Sequence, residues 1–144
     1  MNLDEWLDAI NILQKRLDNN IKDKLLNEED SENLHNKLEI KLEQLIKERF
    51  NKNVKKLISS LDYMVNDHEL FELELINYKK QVKFLYELCD IKVIGSEKSS
   101  KLKYMLMKES NNVYEILINE ASNIDRLGVI EQIIKNNRIK WRNE

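Results

Sequence analysis

Three stretches of this chain carry side chains whose types and spacing could do chemistry. Glu32-x-x-His35 has the spacing by which carboxylate-bridged di-iron bundles send two ligands from one helix face. Such a centre needs a second copy of the motif and two further glutamates. The other histidine, His68, follows Val65 where the glutamate should stand, so His35 reads as a solvated first-turn residue. Asp67-His68-Glu69, with Glu72 one turn on, has the makings of an acid–base cluster. The same acids suit a helix start, where they complement the helix dipole, and that is the reading adopted. Cys89 would need a base beside it to act as a nucleophile. It continues the heptad of Phe71 and Val82, which marks a small buried hydrophobe. Phosphate loops, nucleophile elbows and dinucleotide fingerprints need clustered glycines, whereas Gly95 and Gly128 stand alone. No enzyme, cofactor or metal is expected.

Charge supplies the binding candidates. Lys47, Arg49, Lys52, Lys55 and Lys56 crowd one stretch, and Lys135, Arg138 and Arg142 form another with Lys140 beside them. On a helix, positions 135, 138 and 142 fall within about 60° of one another and could track phosphates, which makes nucleic-acid binding the alternative reading. Glu48 and Glu131 lie among these cations, and the chain's net charge is −2 from 24 basic and 26 acidic residues. Trp141 looks like a stacking partner, but it lies seven residues beyond Ile134, in phase with the apolar face. It reads as the last core residue. Residues 1–34 hold nine acids and four bases, net −5, and residues 35–66 hold four acids and seven bases, net +3. The simplest cause is packing of a first helix on the basic flank of a second. The other is an acidic face, Asp4, Asp8, Asp18 and Asp23 with Glu28, Glu29 and Asp30, that steers a basic partner.

The elements that must position these groups are helices. The chain has no proline and two glycines in 144 residues, where average usage gives roughly seven and ten. Without glycine for sharp turns or proline to interrupt, it can do little except run as helix. Leu3, Trp6, Leu7, Ile10, Leu13, Leu17 and Ile21 form one stripe at helical spacing. Asp30 or Ser31 is the expected cap of a second helix, whose stripe runs from Leu34 to Val65 and keeps its phase through Asn51-Lys52-Asn53. Asp67 should cap a third, apolar on more than one side and hence central, that reaches Ile94 and ends at a left-handed Gly95. Ser96–Ser100 reads as a loop. A fourth stripe follows from Leu102 to Ala121, with a break suggested at Ser110–Asn112, and Asp125 should cap a last helix through Trp141.

The expected fold is all-α: an elongated bundle of four or five mostly antiparallel helices in one domain spanning residues 1–144. The acidic N-terminus is unlike a secretory leader, and no apolar run approaches the roughly 20 residues of a membrane span, so a cytoplasmic protein is expected. One cysteine excludes an internal disulfide. Lysine outnumbers arginine 19 to 5, a bias common in AT-rich bacteria and their phages. Missing catalytic motifs and charged faces point to a protein-interaction module, such as an adaptor, assembly subunit or small inhibitor. Its partner would be another protein, with a second copy of this chain as a further candidate.

Overall fold

A computed structural model describes Glu5, Asp8, Ile12, Lys15 and residues 28–124 and 128–141. In chain order the elements are α1 (Glu28–Ser59), a 3-10 turn (Ser60–Asp62), α2 (Tyr63–Asn66), α3 (His68–Leu88), α4 (Ser96–Ile124) and α5 (Val129–Asn136). Among the described residues there is no strand. Glu5, Asp8, Ile12 and Lys15 are also helical.

The 32 residues of α1 make one helix of about 48 Å, continuous through Asn51–Asn53. Its stripe buries Leu42, Ile46, Phe50 and Leu57, whereas Leu34 is exposed. Asp30 and Ser31 lie inside α1 and do not begin it. The helix also stops earlier than its stripe: Ser59 leads into the 3-10 turn, which lets Met64 of α2 reach the core. Asp67 does cap α3, its side chain accepting the Leu70 N–H at 3.0 Å.

Helix α3 touches α1, the 3-10 turn, α2, α4 and α5, which makes it the central element. The residues behind this are Phe71, Leu75, Tyr78, Val82, Leu85 and Leu88, all buried. Its end departs from expectation. The helix stops at Leu88, and Cys89–Ile94 fold into successive turns that bring Cys89, Val93 and Ile94 into the core.

Gly95 is not left-handed; the one described glycine at positive φ is Gly128, at 74° before α5. Nor is Ser96–Ser100 a loop: it forms the first turns of α4, with Ser99 buried and Glu97 favourably placed at the helix's positive end. The expected break at Ser110–Asn112 is also absent, because Ser110 turns inward. Its hydroxyl lies 3.0 Å from that of Tyr78, so the helix continues over a satisfied polar group. Tyr114 stands edge-on to Tyr78, ring centroids 5.8 Å apart.

The last helix is shorter than its periodicity suggests. It ends at Asn136, and Ile139 and Trp141 are buried from non-helical backbone. Trp141 is a core residue as read, but by a different route. The Asp125 cap falls outside the described residues.

Candidate functional site

Of the residues with reactive potential, Cys89 is buried and the two histidines reach solvent. Cys89 is fully buried, its thiol directed at the Leu85 carbonyl at 3.3 Å, and burial pushes its pKa up to about 12. It stays a thiol at neutral pH. His68 is the exposed first residue of α3, and His35 lies partly exposed on α1. Among the described residues, no group of three or more His, Cys, Asp or Glu side chains could hold a metal ion. Burial also raises the Tyr78 phenol to about 12 and Tyr114 further, so both remain protonated parts of the core.

Several cations of the basic stretches pair with carboxylates of the same chain. Lys47 reaches Glu43 at 3.0 Å, Lys56 reaches Glu74 at 4.0 Å, and Arg49 is half-buried. Lys52 and Lys55 stand exposed. At the other end Lys135 pairs with Glu131 at 3.1 Å. Because α5 stops at Asn136, Arg138 leaves the helical register that would have aligned it with Lys135. Arg138 instead pairs with Glu115 at 3.0 Å and lies over the Tyr114 ring, 5.4 Å from its centroid. Arg142 lies outside the described residues.

On the acidic side, Glu28, Glu29 and Asp30 open α1, and Asp8 is helical and exposed. Asp4, Asp18 and Asp23 lie outside the described residues. Glu5, Asp8, Ile12 and Lys15 are all exposed, Ile12 at 51%.

A charged cluster missed by sequence reading ties α1 to the start of α4. Glu39 of α1 accepts the Gly95 N–H at 2.7 Å and pairs with Lys98 at 3.3 Å. Lys98 also reaches Glu43 at 2.9 Å, and Glu43 in turn holds Lys47. The Gly95 amide holds the Glu39 carboxyl below its usual range, with Lys98 and His35 adding to the effect against burial. Lys98 likewise holds Glu43 low. Glycine at 95 keeps the approach open, since a Cβ there would stand 3.2 Å from the Glu39 carboxylate. Beside this cluster lies an open cleft of about 480 Å³ lined by Gly95, Ser96, Lys98 and Lys101. The only sequence sign of this long-range cap was Gly95 itself, and it pointed to a helix end instead of a beginning.

The Glu39 bond makes a signed prediction. A carboxyl lowered in the folded state contributes stability that is complete above its unfolded pKa and lost as pH falls through the folded one. Glu39→Gln keeps an acceptor for the Gly95 N–H but loses the charge that attracts it and Lys98, which should cost about 0.5–1 kcal/mol at pH 7. The gap to the parent protein in urea unfolding should close as pH drops below the ordinary carboxylate range. A gap that stays constant into acid would show that Glu39 acts as a neutral spacer.

Together these features define an all-α protein among the described residues. Among the described residues, no helix is long and apolar enough to cross a membrane. Comparison with protein-family models, with curated proteins and with solved structures finds no match to the chain.

Proposed function

We propose that this chain is a non-enzymatic, cytoplasmic protein-interaction module of a bacterium or mobile element: an adaptor, an assembly subunit or a small inhibitor. Its architecture under this reading is an elongated bundle of four or five mostly antiparallel helices. The observation that carries the reading is the exposed, helical Ile12, near in sequence to the exposed and charged Glu5, Asp8 and Lys15. An apolar centre inside a polar rim is the usual anatomy of a protein interface. The surplus of acid in residues 1–34 favours a basic partner, whose approach it would accelerate. Nucleic acid fits less well, because Lys47, Lys56, Lys135 and Arg138 are already engaged by carboxylates of the same chain.

The test is recovery of the tagged protein from its native cells at physiological salt, beside an Asp8→Lys/Ile12→Asp variant. A stoichiometric protein partner should appear with the parent and fall at least about tenfold with the variant. Recovery of the parent alone, or equal capture by both, rejects the reading. Retention on heparin that collapses between low and moderate salt would favour nucleic acid instead.

A further inference from the structure

The outer face of α1 carries a charge order of its own. Lys37, Lys41, Gln44, Glu48, Lys52 and Lys55 are all exposed. At 100° per residue on this continuous helix they fall within an arc of about 80° and about 27 Å of its length. Among the described residues none of these lysines is paired with a carboxylate, and Glu48 holds no cation. Lys47 and Lys56, on the flanks, are by contrast tied to Glu43 and Glu74. Leu34 and Ile40, 45% and 49% exposed, border the strip on its two sides.

The strip is complementary to itself. Under a two-fold axis level with the junction of Leu42 and Glu43, an antiparallel second copy sets Lys37 against Glu48 and Lys41 against Gln44. Lys52 then meets Asn33, and Lys55 comes level with Asp30 in the acidic opening of α1. No two like charges of the strip face each other in this register. A slip of one turn in one direction sets Lys37 against Lys52, and in the other it leaves Glu48 opposite Asn33. Parallel pairing would put each lysine beside its own copy. Charges along a helix seam choose orientation and register in this way.

We propose that this strip docks a second copy of the chain, α1 against α1 and antiparallel. Charge complementarity selects that occupant, because the face matches itself in one register. The contact is isologous, so each pair is made twice. Exposed ion pairs hold weakly and are screened by salt, which makes the dimer weak and salt-sensitive. This inference is independent of the Ile12 reading.

Sedimentation equilibrium of the full-length protein tests it. In about 20 mM salt the mass should rise from monomer toward dimer between about 10 µM and 1 mM, and return to monomer in about 0.5 M salt. Lys37→Glu sets carboxylates face to face at two places, and Glu48→Lys does the same with ammonium groups. Each should weaken association at least about tenfold. Carrying both changes reverses the pairs without removing them, so the double variant should recover the parent's affinity to within about threefold. Both side chains are exposed, and the helical circular-dichroism signal should not change in any variant. A parent that stays monomeric throughout, single reversals without effect, or a double variant no better than either single one would each overturn the proposal.

Discussion

Phe71→Ala should be among the most damaging single truncations in this protein, lowering its unfolding free energy by about 3–5 kcal/mol. The ring is wholly buried in the first turn of α3, just after the Asp67 cap, and α3 is the helix every other described element touches. Walls drawn from several elements cannot collapse together into the space a phenyl leaves, so most of the void should persist. At this chain length the thermal midpoint should fall by roughly 10 °C. Urea unfolding checks the mechanism: the midpoint should move with little change in slope, since the surface exposed on unfolding is nearly the same. A loss below about 1 kcal/mol would mean that the site repacks, and that α3 is not the rigid centre described here.

Ile134→Asp should be comparably severe, for a different reason. Helix α5 has eight residues, too few to hold helical structure alone. Packing of Ile130 and Ile134 against α3 and α4 is what keeps it formed. A carboxylate at the fully buried position 134 would face no partner, and burying an unpaired charge costs about 3–5 kcal/mol. The expected outcome is detachment of α5 together with residues 137–141: helical signal falls by the share of one short helix, and Trp141 fluorescence shifts to longer wavelength. Val129→Asp on the same helix, where the side chain is 46% exposed, should stay within about 0.5 kcal/mol of the parent. If both variants behaved alike, burial of Ile134 would not be what holds α5.

The helical class, the central third helix, the Asp67 cap and the inward Cys89 and Trp141 were all legible from spacing, because period and phase are local properties. What escaped is set by contacts between distant residues. Gly95 looked like the end of α3, but its amide is satisfied by Glu39, 56 residues away in sequence, and that bond lets Ser96–Ser100 begin a helix. Ser110 looked like a breaker until Tyr78 supplied a partner. Trp141 kept helical phase with Ile134 by coincidence, since the chain leaves the helix at Asn136 and returns to the core from non-helical backbone. Of the candidate site, the basic clusters were visible as composition. Their engagement by Glu43, Glu74, Glu115 and Glu131 was hidden in part: two of these partners sit one turn away and two come from other elements.

The hydroxyl pair between Tyr78 and Ser110 bears on how α3 and α4 are indexed against each other. Seams made solely of Leu and Ile can slide by one turn, about 5.4 Å, and still bury similar area. Here such a slip would strand two dry hydroxyls, each costing about 1–3 kcal/mol. One polar contact thus works as a detent, selecting a single alignment for a pair of long helices whose greasy surfaces alone would tolerate several.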